Sequence, residues 1–119
     1  AGNESYIYQL LGGPGGNISI QDQTGNYNYA EAWTALDDNT TTQIQTGDEN
    51  YAKIDQYVDG YHGGSNNAIQ IQTGYDNYAY ASQRGNSNFS SQTQGGSGNS
   101  STVTQWGNSN VVTVTQSSP

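Results

Sequence analysis

Small or apolar side chains alternate with polar ones in short bursts along most of this chain. Ala30 and Ala32, Ala52 and Ile54, Ala79 and Ala81, and Ser101 and Val103 each flank one other residue. A second series keeps the same spacing: Thr41 and Gln43, Ala68 and Gln70, Ser90 and Gln92, Val112 and Val114. A period of two predicts short strands with one face inward and one outward. Between bursts stands a Gly, often beside Gly, Asn, Ser or Asp, where positive φ is easily reached and a turn is expected.

The bursts are in register. Counting in elevens from Gln72 reaches Gln83, Gln94, Gln105 and Gln116, and counting back from Gln45 reaches Thr34 and then Gln23. Two residues after each anchor stands Gly25, Gly47, Gly74, Gly85, Gly96 or Gly107, with Leu36 as the exception. Five residues after stands Asn28, Asn39, Asn50, Asn77, Asn88, Asn99 or Asn110. From Gln45 to Gln72 the step is 27 rather than 22, and counting back from Gln72 recovers Asn66, Ala68 and Gln70. One turn, within residues 56–65, therefore carries a five-residue insertion, which a stacked repeat tolerates by looping it outward. Residues 12–22 form a degenerate unit with a GGPGG turn, and residues 1–11 match weakly, with Tyr6, Tyr8 and Leu10 in alternation. The domain reading is an N-terminal segment 1–11, a repeat domain 12–116 and a tail 117–119.

Two strands and two turns make a 22-residue rung, and rungs stack at the ordinary strand spacing of about 4.8 Å. The predicted fold is all-β: a flattened two-sheet β-solenoid of about five rungs. Equal positions then form columns. The inward positions, Ala30, Ala52, Ala79, Val112 and Val114 among them, are small, so the interior is thin and dry. The Asn and Gln columns lie along the corners, where each stacked amide donates to one neighbour and accepts from the other. Without such partners, buried amides would cost a few kcal/mol each. The Gln, Gly and Asn columns with these inward residues are the expected self-assembly core. Tyr29, Tyr51 and Tyr78 share one outward position and should form an aromatic ladder. Such a ladder suits either an ordinary strand surface or an adhesive face.

Composition alone points elsewhere. Hydrophobic residues are 30% and charged residues 10% of the chain, which reads as disorder. The register argues against that, because disorder does not require inward and outward alternation. The net charge of −8 disfavours nucleic acid and anionic membrane as partners. All acidic residues lie at or before Asp76, so the last third is nearly uncharged and less resistant to self-association. There is no Cys for a disulfide or thiolate site and no run long enough to span a membrane. The opening AGNES carries no signal peptide, and the wealth of Asn, Gln and Gly leads to the expectation of a mature exported chain.

Candidate chemistry is sparse. His62 is the sole His and sits in the inserted turn without obvious ligating partners. Asp37–Asp38 and Asp48–Glu49 are paired acids at turns, without the spacing of a calcium loop. GGPGG is followed by no Lys and is not a phosphate loop. No enzymatic activity, metal or cofactor is expected.

The unit Q-x-G-x-x-N-x-A-x-x-x-Q is similar to the curlin repeat of bacterial curli subunits. QTGDENYAKIDQ at 45–56 and QTGYDNYAYASQ at 72–83 match it throughout, and QGGSGNSSTVTQ at 94–105 and QWGNSNVVTVTQ at 105–116 match with Ser or Val in the Ala place. The resemblance covers about residues 12–116. It implies a secreted amyloid subunit that polymerises into extracellular, cell-surface-associated fibres serving biofilm matrix, cell aggregation and adhesion. It also implies a nucleating minor subunit and an outer-membrane secretion pore as partners besides the chain itself. The last repeats hold little basic charge, which fits the major subunit rather than a nucleator. The departures are the insertion and the Thr34–Leu36 turn. The last unit is followed by nothing that looks like a cap, and an uncovered strand edge favours pairing with another chain. The alternative is a monomeric β-solenoid that binds ice or carbohydrate. An ice face would repeat a Thr-x-Thr pair at one offset in each rung; Thr40/Thr42 and Thr113/Thr115 supply one, but the intervening rungs place Asn67/Ile69 and Phe89/Ser91 around those positions.

Overall fold

The computed structural model describes residues 1–10, 15–57 and 64–118. Every regular element among them is a strand: β1 (Glu4–Leu10), β2 (Ile18–Thr24), β3 (Tyr29–Ala35), β4 (Thr40–Asp48), β5 (Tyr51–Tyr57), β6 (Asn67–Tyr75), β7 (Tyr78–Arg84), β8 (Phe89–Ser97), β9 (Ser100–Trp106) and β10 (Val111–Ser117). They form two five-stranded sheets, in the orders β1-β3-β5-β7-β9 and β10-β8-β6-β4-β2. We call them the odd and even sheets. All pairings are parallel. Because consecutive strands alternate between sheets, the chain winds as a coil, two strands to a rung and five rungs in all. The β-solenoid expected from the repeat is the observed fold.

Register follows the eleven-residue count. Ala30 pairs with Ala52, Ala52 with Ala79 and Ala79 with Ser101. Gln45 pairs with Gln72 and Gln72 with Gln94. The insertion can be placed from its flanks. Thr34 pairs with Gln56 and Asp37 bridges Gly64. Two residues separate the first members of these pairs and seven the second, so the five extra residues lie between Gln56 and Gly64 (7 − 2 = 5). The strands on either side keep register. His62 and part of the GGPGG run lie outside the described residues.

The amino-terminal segment is more regular than its sequence suggests. β1 pairs with β3 over its whole length, with Ser5, Ile7 and Gln9 stacked on Ala30, Ala32 and Thr34. Tyr6, Tyr8 and Leu10 therefore point outward. The repeat is obscured because Leu10 pairs with Ala35 while Asn17 lies beside Asn39. That gives seven steps where the regular turn has four, so three extra residues hide the count (7 − 4 = 3).

The core is thin. Ala30, Ala32, Ala52, Ile54, Ala68, Ala79 and Ala81 are fully buried, beside fully buried Thr41, Gln43, Gln70, Ser90 and Gln92. Small side chains let the two sheets approach, and the smallest extent of the molecule is 12 Å across its Cα atoms. Val112 and Val114 pack on this core but are half-buried, because β10 is an edge strand.

Candidate assembly surfaces

Each corner of the coil carries an Asn column. In the first, the backbone N–H and the side-chain amide of Asn50 both donate to Asn28 Oδ1, and those of Asn77 and Asn99 repeat this one and two rungs on. In the second, Asn39, Asn66, Asn88 and Asn110 donate in the same way to Asn17, Asn39, Asn66 and Asn88. The second amide proton of Asn50, Asn66, Asn77 and Asn88 goes to a glycine carbonyl, of Gly74, Gly85, Gly96 and Gly107 respectively. Every donation within a column runs from the later rung to the earlier one.

The glutamines run the other way. Gln23 Nε2 donates to Gln45 Oε1, Gln45 to Gln72, Gln72 to Gln94 and Gln94 to Gln116. Gln21, Gln43, Gln70 and Gln92 form a second column, and Gln56, Gln83 and Gln105 a third. Each also donates across the interior to a backbone carbonyl of the opposite sheet, as Gln45 does to Tyr29, Gln72 to Tyr51, Gln83 to Asn67 and Gln105 to Phe89. The glutamines therefore tie the two sheets together as well as the rungs. The eleven-residue count identifies the anchor glutamines but not their place: they stand within the strands, buried and facing the opposite sheet, and only the asparagines hold the corners, because the sheets are close enough for a glutamine to reach across.

The glycines are fixed by close approach. A Cβ at Gly47 would lie 2.0 Å from the carbonyl oxygen of Gly74, and one at Gly74 would lie 2.0 Å from that of Gly96. No side chain fits there, and both residues have φ near +115°. Leu36 takes φ +68° at this place, and its carbonyl accepts from Asn17. Two residues beyond each glycine position the chain enters the left-handed region again, at Tyr27, Asp38, Glu49, Asp76, Ser87, Gly98 and Ser109. No residue preference at that position betrayed it in the sequence.

The outer face of the odd sheet is aromatic and charged. Tyr29 stacks on Tyr51 with centroids 4.9 Å apart and planes 4° off parallel, and Tyr51 on Tyr78 at 5.0 Å and 7°. The expected ladder is present, and Tyr6 extends it at 5.7 Å. Each ring covers its neighbour, so edges and hydroxyls face outward. Beside the ladder, Glu31 accepts from Tyr29 and lies 3.4 Å from Lys53. Asp55 accepts from Tyr80 at 2.9 Å. Asp55 is only 8% exposed, and burial raises its pKa above the ordinary value, although the Tyr80 hydroxyl and Lys53 oppose the rise.

The two end rungs are chemically different. On the β9–β10 rung, Asn99 and Asn110 turn their Oδ1 atoms away from the solenoid, and Gln105 and Gln116 hold the last donors of their columns. On the β1–β2 rung the arrangement is reversed. Asn3 and Asn17 present backbone N–H groups, and Gln23 presents Oε1. No strand among the described residues pairs with the outer edge of β1, β2, β9 or β10.

Among the described residues no cluster of His, Asp and Glu could hold a metal ion. Asp37 and Asp38 sit at one turn and Asp48 and Glu49 at another, where Asp48 accepts from the backbone and side chain of Asn26. The Thr pairs do not align: Thr40 stacks on Asn67, Asn67 on Phe89 and Phe89 on Val111. Thr113 and Thr115 belong to the columns of Thr42 and Ile44. No protein-family model, curated protein or solved structure matches this chain.

Proposed function

We propose that this chain is the subunit of a cross-β fibre, joined end to end with one polarity, as in the curli-like extracellular fibres that its repeat resembles. The observation that carries this reading is the opposed direction of the amide columns. At the β9–β10 end the asparagines offer acceptors and the glutamines donors; at the β1–β2 end the asparagines offer donors and the glutamines an acceptor. Setting the last rung of one copy on the first rung of another matches donor to acceptor in both kinds of column. Setting two like ends together opposes acceptor to acceptor and donor to donor. Unpaired polar groups in a closed junction cost about 1–3 kcal/mol each, so only the head-to-tail junction continues the solenoid. Biofilm matrix and adhesion, with a nucleating subunit and a secretion pore, are the roles that the resemblance to curlin repeats suggests for such a fibre.

Fibre diffraction from an aligned, aged sample tests this. The expected pattern is a reflection near 4.8 Å along the axis and one near 10 Å across it. Asn110→Ala and Asn99→Ala together should slow elongation, because each removes an acceptor from the growing junction. A chain that stays monomeric with strand-rich circular dichroism would overturn the reading and favour a soluble binding module.

A further inference from the structure

The two outer faces differ sharply in charge. On the odd sheet, Glu31, Lys53, Asp55 and Arg84 point outward. On the even sheet, β4, β6, β8 and β10 place no charged side chain outward between Thr40 and Thr46 or in the rows stacked on them. Only Asp22, in the first rung, is charged. The face is built of Ile44, Ile69, Ile71, Phe89 and Val111 with interspersed threonines. Its outermost apolar members are well exposed, Ile18 at 56% and Val111 at 72%. β-branched residues on five flat parallel strands make a regular, dry surface of the kind that interdigitates in paired sheets.

We propose that the outer face of the even sheet is a lateral pairing surface for a second copy of this chain. Charge selects the occupant. Each copy carries −8, and on this face alone two copies meet without bringing opposed rows of charged groups together. Under a two-fold axis along the stacking direction the columns exchange ends, so the Asp22 of each copy lies over uncharged residues of the other. Area supports it too. Five strands spaced about 4.8 Å and seven residues rising about 3.3 Å each give a footprint of about 550 Å² per copy, or about 1,100 Å² for the pair, just above the roughly 1,000 Å² that a biological interface should clear and at the small end of the scale. An ordered-water or ice-binding role is disfavoured because the threonines do not form continuous columns.

The protein has no cysteine among its residues, so single-cysteine reporters are clean. Ile69→Cys places a thiol near the centre of the face, and Thr102→Cys places one on the exposed outer face of the odd sheet as a control. A short bis-maleimide should give a dimer from the first and none from the second. End-to-end junctions cannot produce that band, because equivalent residues then lie five rungs, about 24 Å, apart. Adding Thr42→Glu to Ile69→Cys should abolish the cross-link, because the two new carboxylates repel each other and the Asp22 of the opposite copy. No dimer from Ile69→Cys, equal dimer from Thr102→Cys, or a band that survives Thr42→Glu would each overturn the proposal. The cross-link is read equally in soluble protein and in fibres, so failure of the fibre reading leaves this test intact.

Discussion

One residue interrupts an otherwise continuous column. Thr34 occupies the place taken by Gln56, Gln83 and Gln105 in the later rungs. Its short side chain cannot donate forward, and both Thr34 Oγ1 and Gln56 Oε1 are buried without a hydrogen-bond partner. Thr34→Gln would supply the missing donor. By its place in the column it would also reach the carbonyl of Ile18, as Gln56 reaches that of Thr40. Satisfying these groups should stabilise the fold by about 1–2 kcal/mol. Urea unfolding of the two proteins measures it, and an unchanged or lower midpoint would show that the column is closed to the longer side chain.

Each half-rung follows the same path: a strand, a tight glycine step, a left-handed residue, an inward asparagine and the next strand. The left-handed residue is the variable member. Gly98 meets this geometry without strain, whereas Glu49 is held at φ +58°. Left-handed backbone costs a residue with a long side chain about 1 kcal/mol relative to Gly. Glu49→Gly should therefore raise the thermal midpoint, less the loss of the Tyr75 hydroxyl bond to Glu49 at 3.2 Å, an exposed contact of small worth. A fall in the midpoint would mean that glycine loosens the unfolded chain more than it relieves the turn. The elements themselves were legible in the sequence wherever the eleven-residue step survived, because one rung position imposes one chemistry: glycine where carbonyls crowd, asparagine where a corner needs an amide. β1 was hard to read because three extra residues precede Asn17, and Asn3 had no visible anchor. The failure of a Thr ladder was legible too, because the repeat count places Asn67/Ile69 and Phe89/Ser91 in the rungs after Thr40/Thr42, as the pairing does. The opposed polarity of the amide columns was invisible, since Asn and Gln letters carry no direction. It arises only when the backbone fixes which side of each amide faces the next rung.

At the scale of the whole molecule, charge and burial act together on pH. Asp55 is enclosed between Lys53, Tyr80 and Glu31 on the odd sheet, and burial raises its pKa above the unfolded value of 3.8. The folded chain thus holds this proton more tightly than the unfolded chain. Stability is gained as pH falls through the raised pKa, is complete near the unfolded value, and is lost again as pH rises. The net charge of −8 also shrinks toward a pI near 4.1 in the same window, which lowers repulsion between copies. The first effect favours folding in mild acid, and the second favours the proposed end-to-end growth. Asp55→Asn separates them, because its amide oxygen still accepts from Tyr80 while the buried charge is gone. The variant should be more stable than the parent at neutral pH, and its thermal midpoint should rise less between neutral pH and about pH 4.5. Elongation followed over the same range should keep the part of its pH dependence that comes from net charge. Parallel curves for the two proteins would place the acid response in the net charge alone, and a variant less stable at neutral pH would show that the Lys53 and Tyr80 contacts outweigh the burial of the carboxylate.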